Sequence, residues 1–238
     1  MLLNRIKIEI NININYLLLF NKIYIINNNN YERNVLIMNT PNKLTIFRII
    51  LVLIMVIFSL INIPLDVFGV PLTFIIMDII FIIASITDKL DGYLARKNNE
   101  VTNFGKFLDP IADKILVVSA MIILVGENRL PAWIPIIIIT REFAVSGYRL
   151  IAVEQNGKVI AASVWGKLKT VTQMIAIILS FVDINGFGAI FTKQMETFPF
   201  ILNLITTILM IICIIATIFS GYDYLKGGKD LFKDVKKK

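Results

Sequence analysis

Long apolar runs, separated by short polar segments, make up most of this chain beyond its amino-terminal portion. The runs predict helices at about 44–61, 70–96, 103–125, 131–154, 162–182 and 198–222. A helix rises about 1.5 Å per residue, so each run is long enough to cross the roughly 30 Å hydrocarbon core of a bilayer. We therefore predict an all-α, polytopic membrane protein that forms a bundle of six transmembrane helices.

Residues 1–37 differ from the rest because they are rich in asparagine and low in complexity. One interpretation is a dispensable extension, disordered or not translated, with Met38 as the true start; the other is a partly ordered cytoplasmic arm. The apolar stretch inside this segment is too short for a secretory signal. The predicted organisation is an extension over 1–37, a membrane domain over 38–224 and a basic cytoplasmic tail over 225–238.

The amino-acid composition excludes several kinds of catalytic site. Hydrophobic residues make up 57% of the chain, above the roughly 45–50% of soluble domains. Histidine is absent, which excludes Ser-His-Asp catalysis and histidine-ligated zinc. The single cysteine, Cys213, lies in an apolar run, where a thiol is a poor nucleophile. Any reaction must therefore use Asp, Glu, Lys, Arg, Ser, Thr or Tyr side chains.

The distribution of basic residues predicts how the chain is oriented in the membrane. The net charge is +7, and in a membrane protein this indicates lysines at the cytoplasmic face rather than nucleic-acid binding. With the amino terminus placed in the cytoplasm, the outer loops contain only Arg129 and Lys193 as basic residues. We therefore expect both termini at the cytoplasmic face, together with the acidic residues described next.

Four aspartates form the most informative pattern. Asp88 and Asp91 are three residues apart and share one helix face, and Asp109 and Asp113 are four apart and share another. The short connection between their helices predicts antiparallel neighbours, so both faces can converge on one or two ions of the Mg²⁺ type. The alternative is a set of salt bridges with Lys89, Lys106 and Lys114.

The full pattern, D-x2-D-G-x2-A-R-x8-G-x3-D-x3-D over residues 88–113, resembles the signature of the CDP-alcohol phosphatidyltransferase family. The resemblance implies that Asp88, Asp91 and Asp109 hold two metal ions, usually Mg²⁺ with Mn²⁺ possible. It makes Asp113 the general base and a ligand of the second metal. The implied residues around the CDP moiety are Gly92, Ala95, Arg96, Gly105 and Asn42.

Asn42, Thr45 and Arg48 stand at the cytoplasmic start of the first helix. They either face the nucleotide or serve as helix cap and positive anchor. Asp78 is an intramembrane acid whose role is open; Lys114 and Arg141 are its candidate partners.

The fourth and fifth helices are candidates for binding the acceptor. Arg141 and Arg149 are eight residues apart and lie on roughly one helix face, and Lys167 and Lys169 open the next helix. Arginines within membrane helices usually face a charged partner inside the bundle. We predict that Arg141, Arg149 and Lys167 bind a phosphate on the acceptor; the alternative is an ion pair of Arg141 with Glu142 or an aspartate, without a ligand.

Several segments between residues 38 and 224 resemble the bacterial branch of the family that makes phosphatidylglycerol phosphate, including 131–152 and 157–174. This implies transfer from CDP-diacylglycerol to sn-glycerol 3-phosphate, a site in the bacterial plasma membrane and a homodimer. A relative that uses another alcohol, such as phosphatidylglycerol to give cardiolipin, is the alternative. An ion transporter is a remote one, because its acids should lie near the bilayer midplane.

Overall fold

The computed structural model describes residues 40–61, 63–97, 103–154 and 164–227, and these parts of the chain are mainly helical. Their α-helices are α1 (Thr40–Ser59), α2 (Leu72–Lys97), α3 (Asn103–Gly126), α4 (Trp133–Glu154), α5 (Val164–Val182) and α6 (Thr197–Gly227). The predicted all-α class and the six helices are confirmed within these ranges. The predictions for residues 1–37 and for most of the basic tail lie outside them.

Two helix ends differ from the prediction for local reasons. α1 begins at Thr40 rather than near residue 44, because Pro41 is well tolerated in the first turn, where its missing N–H would have no partner anyway. α6 continues to Gly227, beyond the predicted end near residue 222, and has Lys226 in its last turn. A cation there is favoured by the negative end of the helix dipole.

A short hairpin between α1 and α2 was not predicted. Strands β1 (Asp66–Val67) and β2 (Val70–Pro71) pair antiparallel. Phe68 and Gly69 connect them, and both have positive φ angles, 54° and 78°, as a two-residue hairpin turn of this kind requires. Phe68 is an uncommon residue at such a position, so the sequence carried little signal for it.

The core forms where α1, α2, α3, α5 and α6 meet. α1 packs along both α2 and α3, α5 packs against α6 and α2, and α4 packs mainly on α6. The side chains of Met55, Phe81, Leu116, Phe181 and Met210 are completely buried there. Because α1 touches both α2 and α3, it is in contact with the two helices that carry the aspartate pairs.

The helices differ in how clearly they suit a membrane. Asn42–Ser59 in α1 and Thr197–Tyr224 in α6 are long and apolar enough to cross one, judged by length and composition. Large apolar side chains are also exposed on the other helices, among them Ile79, Ile122, Ile136 and Val171. Exposed apolar surface of this kind suits contact with lipid.

A hydrogen-bonded assembly, here called the outer cap because it lies at the end of α2 away from Asp88, closes the bundle where α3, α5 and the first turns of α2 meet. The Arg129 guanidinium donates to the Phe181 carbonyl oxygen at 2.6 Å and lies 3.5 Å from the centroid of the Phe74 ring. Burial lowers the pKa of Arg129 to about 10, so it remains charged at neutral pH. The cap is about 20 Å from Asp88, because Phe74 and Asp88 lie on one helix with about 1.5 Å per residue.

Asn203 of α6 is the centre of the outer cap. Its Nδ2 donates to Asp183 Oδ2 and to the Gly186 carbonyl oxygen, both at 2.6 Å, and its Oδ1 accepts from the Ile190 N–H at 2.9 Å. Burial raises the pKa of Asp183, while hydrogen bonds from Asn185 and Asn203 lower it. These bonds fix the chain between α5 and α6 and complete the cap.

Candidate functional site

Two side chains of α1 contact the two predicted acidic faces. Thr45 Oγ1 donates to Asp109 Oδ1 on α3 at 2.7 Å, and Arg48 Nη1 lies 2.7 Å from Asp88 Oδ1 on α2. Thr45 and Arg48 are three residues apart and therefore share one face of α1. The carboxylates of Asp88 and Asp109 consequently lie beside a single helical turn of α1.

Burial distinguishes the interpretations of Arg48. Its side chain is 0% exposed, whereas that of Asp88 is 37% exposed. An arginine that anchors a helix at the membrane surface would keep its charged end in water. The anchor interpretation is therefore wrong for Arg48, whose charge is neutralised inside the bundle by an acid of the signature.

Asp113, one turn beyond Asp109, lines a cavity of about 70 Å³ bounded by α3, α4 and α5. Its polar walls come from Asp113, Lys114, Glu142, Lys169 and Gln173, and the remaining lining is mostly apolar. Two carboxylates and two lysines thus line one partly enclosed space. Such a space can hold a small anionic group beside a potential proton acceptor.

The ion pairs around this cavity involve Glu142. Its Oε1 accepts hydrogen bonds from Lys169 and, at 3.1 Å, from Arg141 Nη1. The predicted alternative pairing of Arg141 with Glu142 is thus formed. Lys114 donates instead to Ser146 Oγ at 2.6 Å and lies 5.6 Å from the Phe143 ring centroid, so the structure does not pair it with an aspartate.

The acidic side chains of the site are suited to a divalent cation. Asp88, Asp109 and Asp113 supply only carboxylate oxygens, the ligands that Mg²⁺ and Mn²⁺ prefer. Within the described residues no three acidic, histidine or cysteine side chains stand close enough to hold a metal ion; the side chain of Asp91 is not among those described. The chemistry of the donors fits a hard divalent ion, with Arg48 and Thr45 as neighbours of its ligands.

The predicted CDP-binding residues fall mostly in segments whose side chains are not described. Gly92, Ala95 and Arg96 lie within α2 and Gly105 within α3, so only their place on the helices is known. Asn42 is buried, at 7% exposure, in the first turn of α1. It precedes Thr45 by three residues and so lies on the same side of α1 as the contact with Asp109.

Two of the three predicted acceptor cations gather around one tyrosine. The guanidinium carbons of Arg141 and Arg149 lie 5.5 and 5.4 Å from the centroid of the Tyr224 ring. Arg149 Nη2 also donates to the Tyr224 hydroxyl, and Arg141 Nη2 donates to Ser220 Oγ. Lys167 is exposed and, in the described part of the chain, makes no hydrogen bond or ion pair.

The structure gives Lys114 and Lys169 a position that the sequence did not predict, and it adds Ser220 and Tyr224 to the site. Lys114 and Lys169 line the cavity beside Asp113, and Tyr224 and Ser220 hold the arginines. Lys169 is only two residues from Lys167, so the two point to different sides of α5. The available sequence signal was its spacing, because the polar residues Thr172 and Gln173 follow it by three and four positions.

Asp78 has neither of its predicted partners. It is buried, and within the described ranges its Oδ1 has no hydrogen-bond partner and it forms no ion pair. Lys114 and Arg141, the candidates, make the contacts given above instead.

Comparison of the sequence with known proteins finds one family. The family model described as CDP-alcohol phosphatidyltransferase matches residues 38–220. Proteins named CDP-diacylglycerol–glycerol-3-phosphate 3-phosphatidyltransferase match from Bacillus subtilis (strain 168), at 40% identity over 82% of this chain and 97% of the relative, and from Haemophilus influenzae, at 39% over 82% and 96%. One of that name from Rickettsia typhi is 36% identical over 82% and 99%.

Proposed function

Because this chain belongs to the CDP-alcohol phosphatidyltransferase family, we propose that it transfers the phosphatidyl group of CDP-diacylglycerol to sn-glycerol 3-phosphate. The products are phosphatidylglycerol phosphate and CMP. The relatives with the names given above support this acceptor. The observation that carries it is the cavity in which Asp113 faces Lys114 and Lys169, because the acceptor presents a phosphate and a hydroxyl together.

Divalent metal ions are general in this family, and we propose Mg²⁺, with Mn²⁺ able to replace it, held by Asp88, Asp91, Asp109 and Asp113. When bound, such ions would neutralise charge on the diphosphate and on the reacting oxygens. Arg48 and Thr45 hold the carboxylates of Asp88 and Asp109 at their α1 side. Contacts to metal-binding carboxylates from residues that do not themselves bind the metal orient those carboxylates and tune their basicity.

In the proposed reaction Asp113 is the general base. The hydroxyl oxygen of the acceptor bonds to the phosphorus that carries diacylglycerol, and the bond from that phosphorus to the CMP phosphate oxygen breaks. The hydroxyl proton passes to a carboxylate oxygen of Asp113, and CMP leaves. A correctly placed base typically contributes about 10²–10⁴-fold to the rate.

We assign the CDP moiety to the side of α1 and α2, with Asn42, Gly92, Ala95 and Arg96, and with Gly105 on α3. The acceptor phosphate is assigned to Lys114, Lys169 and Arg141, with Arg149 beside them. Lys167 stays a prediction on the exposed side of the same helix. Arg141 is shared with Glu142, so a bound phosphate would compete with that carboxylate for the guanidinium.

All six helices are proposed to cross the bacterial plasma membrane, with the site and both termini at the cytoplasmic face. The positive-inside rule supports this orientation, since Arg129 and Lys193 lie in the loops at the outer-cap end. We also propose a homodimer, and a domain over residues 38–224 preceded by an extension and followed by a basic tail.

The experiment that tests the function is CMP release by the full chain, purified in detergent, from CDP-diacylglycerol. The arms are glycerol 3-phosphate, phosphatidylglycerol and no acceptor, each with and without Mg²⁺. CMP that appears only with metal and glycerol 3-phosphate supports the proposal. Release only with phosphatidylglycerol would replace the acceptor and keep the family reaction, and release by folded protein with neither would refute the transferase assignment.

A further inference from the structure

Around Tyr224, aromatic and cationic side chains connect α4 with α6. Tyr224 is 3% exposed and packs in a small cluster with Val145 and Tyr148. Its ring meets the Tyr148 ring edge-on at 6.3 Å between centroids. The same Tyr224 ring receives Arg141 and Arg149, so an aromatic side chain of α6 holds two cations of α4.

Bringing two like charges to one ring costs electrostatic free energy, which the binding of an anion would offset. Two guanidinium groups within 6 Å of one ring repel each other, although each gains from the negative ring face. Arg141 has Glu142 as a partner, whereas Arg149 has no carboxylate partner among the residues that the structure describes. Lys169 pairs with the same Glu142, so two cations share that carboxylate and Arg149 is left without one. A surplus of positive charge held in fixed geometry is suited to an anion.

Neighbouring residues of α6 complete the holding contacts. Ser220 accepts a hydrogen bond from Arg141. A Cβ on Gly221 would lie 3.5 Å from Arg141 Cγ, so the arginine stem passes directly over the glycine. Ser220, Gly221 and Tyr224 are therefore one surface, presented by a single turn of α6 to Arg141 and Arg149.

We infer that Tyr224 is a positioning residue that holds Arg141 and Arg149 for the phosphate of the acceptor. Its hydroxyl accepts a hydrogen bond from Arg149 and its ring lies beside both guanidinium groups, so their positions are set before the anion binds. The inference rests on the proposed function, in which a phosphorylated alcohol is the acceptor. Tyr224 itself touches no substrate, and its effect passes through the two arginines.

The test compares Tyr224→Phe, Tyr224→Leu and, as a matched control on the same helix, Tyr222→Phe, because Tyr222 is 60% exposed. Initial rates are measured against glycerol 3-phosphate and, separately, against CDP-diacylglycerol. We expect Tyr224→Phe to raise the KM for glycerol 3-phosphate about tenfold, equivalent to ~1.4 kcal/mol. The expected rise is larger for Tyr224→Leu, with kcat and the KM for CDP-diacylglycerol within about twofold of wild type and no change for the control.

Melting temperature separates positioning from a merely structural role. A Tyr224→Phe variant that melts like wild type with a selectively raised KM for glycerol 3-phosphate supports the inference. An unchanged KM in folded Tyr224→Leu, or equal losses for both substrates in Tyr224→Phe, overturns it. The acceptor of the wild-type protein is measured before any variant. If it releases CMP with another alcohol and not with glycerol 3-phosphate, the proposed acceptor is wrong, whatever the role of Tyr224.

Discussion

Asn203 in the outer cap offers the sharpest test of what stabilises this fold. Replacing it with leucine keeps the approximate volume and removes three hydrogen bonds, to Asp183, the Gly186 carbonyl and the Ile190 N–H. Two of these are neutral and contribute about 1 kcal/mol each, and the bond to the carboxylate contributes about 2 kcal/mol. Asp183 is 1% and Asn203 0% exposed, so water cannot take their place without local opening. The expected loss is about 4 kcal/mol.

The chain carries its own reporter for this measurement. Cys213 is its one cysteine and is fully buried, so a thiol-reactive fluorogenic dye reports unfolding in detergent. At about 2–4 °C per kcal/mol, Asn203→Leu should melt about 8–16 °C below wild type. Thr207→Val is the matched control, because it removes only the bond from the Gly188 N–H and should cost about 1 kcal/mol.

The refuting result is a melting temperature for Asn203→Leu within about 2 °C of wild type. That would mean that Asp183 and the two backbone groups find other partners at little cost. CMP release at a permissive temperature should stay near the wild-type rate, because the outer cap lies about 20 Å along α2 from Asp88. A large fall in kcat for folded Asn203→Leu would contradict this separation of cap and site.

Four further outcomes are expected. Asp113→Asn should lower kcat at least about 100-fold through loss of the base, with the melting temperature unchanged. Chelation should stop CMP release, and Mg²⁺ or Mn²⁺ should restore it. Lys169→Ala should reduce kcat/KM for glycerol 3-phosphate at least about tenfold, and exposed Lys167→Ala less than about twofold. Gly186→Ala should cost more stability in the dye assay than Gly69→Ala, because both have positive φ but only at Gly186 would a Cβ meet backbone, at 3.0 Å.

The helices were predictable because each is a long apolar run bounded by polar or proline residues, and the observed bounds mostly differ by a few residues. The outer cap was not predictable. Asn203 is one of several polar residues in a mainly apolar run, and its three partners lie between α5 and α6, where Gly186 and Gly188 have positive φ. Nothing in sequence spacing links residue 203 to residues 183 and 190.

The aspartate spacing predicted which acids share a helix face, but it could not reveal α1 as their common neighbour. Arg48 and Thr45 looked like cap or anchor residues because they open an apolar helix. Their contacts with Asp88 and Asp109 arise from the packing of α1 along both α2 and α3. Such a choice of neighbours is a property of the whole bundle and not of any segment.

The acceptor cations show why the rest of the site needed a structure. In a helix of a soluble protein the apolar stripe marks the face that points into the core. Beside lipid the outward face is apolar too, so the apolar pattern no longer shows which face of the helix points inward. In α5 the buried set includes Lys169, Thr172, Gln173 and Ala176, which follows an i, i+3, i+4, i+7 pattern. Polar residues at helical spacing, rather than apolar ones, mark the inward face. By that rule Lys169 faces the cavity and Lys167 does not, and the paired alanine variants above test the rule directly.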